Sequence, residues 1–400
     1  MTKTEIVDAA FKVWGRNFYR KTSLSQLAVE LKVSKPALYR HFENKQALTD
    51  AMTERFLDDF AASIRADFER AQQMQDADEG IFTIIRSISG FFARNVYALL
   101  FSLINIYDRI LDGRAISERL RHRGVDLRTL KFIAEKKYDA ERSIVHMIFA
   151  TLTFFMAYFH KAEKSHKKPP SEEKIQNMLS VICKIIEQGI GYPASKIDAI
   201  DFEKQEERVG VPADAEIEPL FRAVAEAVAE AGPWDASMNM VAKRLGLSKS
   251  SLYGHFKSRK DMLRRLFTDE FRRIISFARQ RIALSDISQE QLYLGIFAIT
   301  VYLRSHPEFL ISLDWIRTRK LDLGKPEKET DIFTLFENVD IEPLRGGSED
   351  EKRRISHWIL FLLINILTKQ GLAASAVDVQ NNDIRLLYRF ITLGLGGFKR

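Results

Sequence analysis

Cysteine is nearly absent: Cys183 is the only one in 400 residues. No disulfide can form within the chain, which excludes a disulfide-stapled secreted scaffold and fits a reducing cytoplasm. Its neighbours Val181, Ile182, Ile185 and Ile186 make it a buried structural thiol rather than a redox sensor. Ten prolines and nineteen glycines are too few for a collagen-like or low-complexity chain. The longest apolar run, residues 144–159, contains His146, Thr151 and Thr153. It falls short of the ~20 residues of a membrane span and reads as a buried helix, so no membrane partner is expected. The N-terminus begins directly on a helical pattern, without the features of a signal peptide. No nucleophile elbow, HExxH pattern or phosphate-binding loop occurs, and no Cys or second His stands at zinc-site spacing from His146 or His357. Gly394-x-Gly396 lacks the preceding strand and following helix of a dinucleotide site. An enzyme, a cofactor and a metal are therefore not expected, and His146 and His357 read as core or interface histidines.

What is present is length, apolar residues and a mild basic excess. Four hundred residues exceed one ordinary core and imply two or more domains. Apolar content of 46% beside 29% charged residues describes a globular chain. The net charge is +7. Residues 1–200 carry 31 Lys and Arg against 25 Asp and Glu, and residues 201–400 carry 30 against 29. The first half thus has the stronger positive field, as suits a nucleic-acid partner.

One stretch occurs twice. Ser34-Lys35-Pro36-Ala37-Leu38-Tyr39-Arg40-His41-Phe42-Glu43-Asn44-Lys45 returns 214 positions later as Ser248-Lys249-Ser250-Ser251-Leu252-Tyr253-Gly254-His255-Phe256-Lys257-Ser258-Arg259. Ser34 and Ser248 suit a helix N-cap, and Pro36 is tolerated in the first turn. Leu38 and Phe42 stand at i and i+4, so one face of a short helix is anchored and Lys35, Ala37, Tyr39, Arg40 and His41 are left on the others. Upstream, Leu24, Leu27, Ala28 and Leu31 form another short apolar stripe that begins with Ser23 and Gln26 at capping-box spacing. Met238, Val241, Ala242, Leu245 and Leu247 repeat it in the second copy. Two short helices joined by a tight turn, the second bearing basic and polar groups, describe a helix-turn-helix.

These residues resemble the tetracycline-repressor (TetR) type of bacterial transcription regulators. The resemblance rests on Ser23-Leu24-x-x-Leu27-Ala28 and on Leu31-Lys32-Val33-Ser34-Lys35-Pro36-Ala37-Leu38-Tyr39-x-His41-Phe42-x-Asn44-Lys45-x-x-Leu48. The second copy carries it from Met240-Val241-Ala242 through Leu245-Gly246-Leu247-Ser248-Lys249 to Met262. Lys32 departs from the pattern, since the family usually has there the turn glycine that Gly246 supplies. The resemblance implies phosphate contacts from Tyr39, His41 and Lys45, and from Tyr253, His255 and Arg259. The residue-level alternative is that Tyr and His only pack on the helix pair. Base reading falls to Lys35, Pro36, Ala37 and Arg40 in copy one. Copy two offers Lys249, Ser250 and Ser251, while Gly254 reads nothing.

The repeat extends further. Phe92-Ala93-x-x-Val96-Tyr97 returns at Phe297, offset 205; Arg142-x-Ile144-x-His146 at Arg353, offset 211; and Lys184-Ile185-Ile186-x-x-Gly189 at Arg389, offset 205. A whole unit of about 190–200 residues is duplicated. The expected architecture is all-α: two helix-turn-helix domains, 1–47 and 215–261, two helical regulatory domains, 48–190 and 262–400, and a linker, 191–214. A helix break is expected near Gly90, and the lysines of 161–171 read as a solvated loop. The expected function is sequence-specific binding of double-stranded DNA in the cytoplasm. By the resemblance, this is repression released by a small apolar effector bound within residues 80–190 or 285–395, and bundles with no cavity of about 300 Å³ or more would argue against it. The competing reading is an interaction or architectural protein whose helix-turn-helix copies no longer read DNA. Phe91, Phe92, Phe101, Phe149, Phe154 and Phe155 are pocket candidates, though such stripes equally make core. The effector's ligands are otherwise unknown. A linker spanning up to ~80 Å and an effective concentration on the order of millimolar favour a pseudo-dimeric monomer over a homodimer, held by helices 144–159, 172–188, 355–367 and 382–393.

Overall fold

In a computed structural model, residues 2–16, 23–102, 114–130, 141–162, 170–212, 218–254, 259–319, 335–336, 339–371 and 377–398 are described. Every regular element among them is helical. The chain divides into two compact units, one built on Met1–Ile186 and one on Glu187–Phe398.

In the first unit, α1 (Lys3–Arg16), α2 (Leu24–Glu30) and α3 (Lys35–Tyr39) precede a long α4 (Lys45–Gln73). Asn44 caps α4, its Oδ1 accepting the Ala47 N–H at 2.9 Å. Leu48, Met52, Phe56, Leu57, Phe60 and Ile64 give α4 a buried stripe at helical spacing. Then come α5 (Ala77–Arg94), α6 (Val96–Phe101), α7 (Arg114–Arg121), α8 (Glu141–Ala162) and α9 (Glu172–Gln188). The helix break expected at Gly90 falls instead at Asn95, whose φ of −126° and ψ of 69° leave the helical region. The Asn95 amide folds back to donate to the Phe91 carbonyl at 2.8 Å and closes α5. Gly90 stays helical within α5, and Arg94 Nη1 donates to its carbonyl at 3.1 Å. Residues 143–160 of α8 are long and apolar enough to cross a membrane, but half of that window is buried within the fold. The lysine loop lies mostly outside the described residues.

The expected linker 191–214 contains two helices, α10 (Ala194–Asp198) and α11 (Phe202–Val209). Asp201 caps α11, and Ile197, Ile200, Gln205 and Val209 are buried. Apolar residues this sparse do not reveal a helix by periodicity, and polar pairs add to the segment's attachment. Glu206 accepts from the Tyr293 hydroxyl at 2.6 Å and from Arg385 at 2.6 and 2.9 Å. Asp198 pairs with Arg389 at 2.8 Å, and Lys196 with Glu342 at 2.6 Å. Phe202 sets its ring edge against Tyr293, 4.8 Å between centroids.

There follow α12 (Pro219–Asp235, interrupted at Gly232), α13 (Met238–Arg244), α14 (Lys249–Gly254), α15 (Arg259–Ile282), α16 (Ser288–Ser305), α17 (Pro307–Arg319), α18 (Glu349–Gly371) and α19 (Val377–Leu393). α15 starts 214 positions after α4, as the repeated stretch requires. α5 and α16 are both 18 residues long, and their end residues Asn95 and His306 share one conformation, φ −126° and −129°, 211 positions apart. The offset of 205 expected for Phe92 is therefore wrong: it would set Val96, which opens α6, on Val301 inside α16. The offset of 205 does hold for the last helices, 172–188 and 377–393.

Candidate nucleic-acid interface and the cavity behind it

The first reader is assembled by short-range bonds. The Ser23 hydroxyl accepts the Gln26 N–H at 3.1 Å while Gln26 Oε1 accepts the Ser23 N–H at 2.7 Å, the expected capping box. Leu24, Leu27 and Ala28 bury one face of α2. The chain reverses at Lys32, which takes a left-handed φ of 54° so that the Val33 N–H reaches the Ala28 carbonyl at 3.0 Å. The Ser34 hydroxyl then accepts the Ala37 N–H at 3.3 Å and starts α3. Leu38 and Phe42 are buried at 0% and 2% exposure, which fixes the rotation of the helix. Lys35, Pro36, Tyr39, Arg40 and His41 are consequently exposed, with Ala37 and Lys45 half-buried. The regular helix ends at Tyr39. Arg40 and His41 lie on a tightened turn in which the His41 and Phe42 N–H groups both donate to the Leu38 carbonyl. Lys3 on α1 places its ammonium 5.4 Å from the Phe42 ring centre.

The second reader repeats the scaffold with other chemistry. Gly246 supplies the left-handed turn at φ 68°, and the Leu247 N–H reaches the Ala242 carbonyl at 2.9 Å. Ser248 caps α14 through the Ser251 N–H at 2.9 Å, and its hydroxyl lies 2.9 and 2.6 Å from those of Ser250 and Ser251. Lys249, Ser250 and Ser251 are exposed, Tyr253 is half-buried and Leu252 is buried. Arg244 bonds Glu230 and lies 3.5 Å from Glu226, tying α13 to α12. His255 is outside the described residues, as is the side chain of Arg259.

Residues 6–52 and 220–266 each match the family described as bacterial regulatory proteins, tetR family. The chain is a TetR-type regulator with its reading domain in tandem duplicate. It is a DNA-binding transcriptional regulator, and both matched stretches contain a repeated helix-turn-helix just described.

Some of the surface around the TetR readers was not singled out from sequence. Val29 is 74% exposed on α2, and Leu247, expected within the apolar stripe, is 44% exposed. Val29 carried a signal: it lies off the rotation set by Leu24, Leu27 and Ala28.

Behind the first reader, an apolar cavity of about 90 Å³ lies between α4, α5, α6, α7 and α8. Phe56, Phe60, Phe92, Leu99, Phe149 and Met156 line it, with Ser102 and Thr153. It is smaller than expected because aromatic rings fill the bundle: Phe60 and Phe91 meet at 5.3 Å, and Phe56 and Phe92 at 6.3 Å. Of the six candidate phenylalanines, Phe92 and Phe149 reach the cavity. Phe101 packs on Phe11 of α1 at 5.0 Å, Phe154 on Phe155 at 5.3 Å, and Phe91 faces a separate groove. That groove, about 330 Å³, is polar and lined by Arg70, Arg86, Arg94 and Asp67. Beside the cavity, Glu54 bonds Arg119 and Arg123, and Asp58 bonds Arg123 at 2.7 Å, fastening α4 to α7 and the turn after it. Partial burial pushes the Glu54 carboxyl up, but its hydrogen bonds from Arg123 and Arg119 outweigh this and hold it below the usual carboxylate value.

Proposed function

We propose that the chain is a repressor whose grip on DNA is loosened when a small, neutral, apolar molecule enters the first unit. One observation carries this reading: the apolar cavity shares walls with the helices that hold the reader. Phe56 and Phe60 of the wall belong to α4, which starts at the reader's Asn44 cap. Leu99 and Ser102 of the wall flank Phe101, which packs on Phe11 of α1. A cavity of about 90 Å³ is smaller than the roughly 150 Å³ dry cavity that admits benzene. A ligand of that size or more displaces α6, and the displacement is felt at Phe11.

Under this reading Lys35, Pro36, Ala37 and Arg40 contact bases in the first half-site, with Lys249, Ser250 and Ser251 in the second. Tyr39, His41 and Lys45 meet phosphates, as do Tyr253, His255 and Arg259. Because the two sets differ, the operator is asymmetric. One chain supplies both readers, so the active species is a monomer, and light scattering should give a mass near 46.2 kDa.

The test is selection of bound duplexes from a random pool, followed by anisotropy on the winner across salt concentrations and with apolar compounds added. The expected result is an asymmetric site, a steep salt slope and release by at least one compound. A sequence-independent signal with a flat salt slope would favour an interaction protein instead.

A further inference from the structure

The two halves put different chemistry at the same pair of positions. Position 56 of α4 corresponds to 270 of α15 by the offset of 214, and position 91 of α5 to 302 of α16 by the offset of 211. In the first unit these are Phe56 and Phe91, two rings 6.2 Å apart and edge-on, with Phe56 in the cavity wall. In the second they are Glu270 and Tyr302, joined by a hydrogen bond of 2.7 Å from the tyrosine hydroxyl to Glu270 Oε1. Glu270 is 4% exposed, with Arg273 at 3.5 Å. Tyr302 is held in turn: the His306 ring stacks on it at 4.3 Å, and His306 Nδ1 bonds the Tyr302 carbonyl at 2.8 Å. Other wall positions also change. Ser102 becomes Leu313, Thr153 becomes Ile364 and Phe92 becomes Leu303 by the same offset.

We propose that sensing of the apolar effector belongs to the first half alone, and that Glu270, fixed by Tyr302, excludes such a molecule from the equivalent place in the second. The inference rests on the effector reading above. An apolar molecule lodged against Glu270 would replace the polar partners a buried carboxylate requires and return nothing to it. In the first half the same place is aromatic, and the ligand meets the Phe56 ring there instead of a carboxylate. The second reader is then insensitive to the ligand, and release works by loss of one of two linked contacts. A chain reduced to one engaged reader forfeits the effective concentration that the second supplied, commonly worth 10²–10⁴ in affinity.

The experiment titrates fluorobenzene into the full chain and reads stoichiometry by ¹⁹F NMR, with circular dichroism to verify that each variant is folded. The wild type should take one fluorobenzene per chain. Ser102→Leu and Thr153→Ile, each importing the second half's residue into the cavity wall, should abolish binding. Glu270→Ala should raise the count to two, and Glu270→Gln, which keeps the shape and the hydrogen bond, should leave it at one. Two molecules bound by the wild type, or a Glu270→Ala chain that still binds one, would each overturn the asymmetry while leaving the effector reading intact; one molecule that survives both cavity-filling substitutions would lie outside the cavity and overturn both. No binding at all would overturn the effector reading, and the asymmetry with it.

Discussion

Gly189 and Gly394 end the last helices of the two repeats in the same left-handed conformation, φ 58° and 59°, and meet each other. A Cβ built on Gly189 would lie 2.7 Å from the Gly394 nitrogen and 2.4 Å from the Ile391 carbonyl oxygen. The Ile190 N–H donates to that same carbonyl at 2.8 Å. Glycine is required at 189 twice over, for its backbone angle and for the backbone it touches. Gly189→Ala should therefore destabilise the second unit by roughly 2–4 kcal/mol, the cost of a left-handed alanine plus an overpacked contact. Gly246→Ala, at φ 68° with nothing near it, should cost only about 1–2 kcal/mol. Urea unfolding of both variants measures the difference.

Lys32 occupies the conformation that Gly246 occupies in the second reader. Lys32→Gly should relieve left-handed strain of about 1–2 kcal/mol, less the chain entropy that glycine adds to the unfolded state. The net gain expected is a few tenths to 1 kcal/mol, and Gly246→Lys should lose a comparable amount. Thermal melts decide. A Lys32→Gly chain that melts lower would mean that the lysine side chain contributes something the turn geometry does not explain.

On DNA, Tyr39→Ala should weaken binding to all sequences about equally, whereas Arg40→Ala should change which sequence is preferred, by about 1–3 kcal/mol at one base pair. Gly254→Arg is the informative gain. Nothing lies within 4 Å of a Cβ there, helix propensity improves by up to ~1 kcal/mol, and the second half acquires the guanidinium that the first has. Anisotropy with half-site variants reads both effects. Equal loss on every sequence from Arg40→Ala would remove it from the base-reading set.

Most of the readers was legible in the sequence because short-range rules decide them. Ser23 with Gln26, Ser34 with Ala37, and Leu38 with Phe42 lie within four residues of one another, and their spacing states their geometry. The break at Asn95 was misplaced at Gly90 because a glycine reads as an interruption, whereas packing decides which residue ends the helix. The cavity's size was beyond reach for a similar reason. An aromatic stripe names the wall, but only packing says how much space the rings leave. The attachment of 191–214 was invisible because Glu206 finds its partners 87 and 179 positions away.

Acid should loosen the cavity wall before it unfolds the units. The folded carboxyl of Glu54 titrates below its ordinary value of 4.5. A depressed pKa adds stability that is present above 4.5 and is lost as the pH falls through the folded value. Because Glu54 is about half exposed, solvent screens the pair and its net contribution is small, ~1 kcal/mol or less. Glu54→Gln should thus flatten part of the stability decline below pH 4.5 while changing stability near neutrality by no more than that amount. Urea midpoints from pH 3 to 7 provide the comparison, and a decline of unchanged slope would assign it to other carboxylates.

The segment that joins the repeats is held through one carboxylate. Glu206 is 9% exposed on its side chain and bonds Arg385 through both oxygens, with the Tyr293 hydroxyl on one of them and the Asn381 amide at 3.2 Å from the other. Its carboxylate holds the Arg385 guanidinium charged more firmly than usual, and burial together with that carboxylate pushes the Tyr293 hydroxyl well above its ordinary value. Removing one partner of such a pair leaves the other buried without compensation, at a cost of about 3–5 kcal/mol. Arg385 is 27% exposed, which places Glu206→Ala near the lower end, roughly 3 kcal/mol. Replacing both charges with apolar residues, Glu206→Met with Arg385→Leu, should recover most of that loss, because the penalty comes from the unpaired group rather than from the pair itself. The same variants separate a docked segment from a free tether. Trypsin acting on the folded wild type should spare Lys204 and Arg208, and Glu206→Ala should expose them. Rapid wild-type cleavage at these sites, with an unchanged urea midpoint for Glu206→Ala, would return 191–214 to the status of a plain linker.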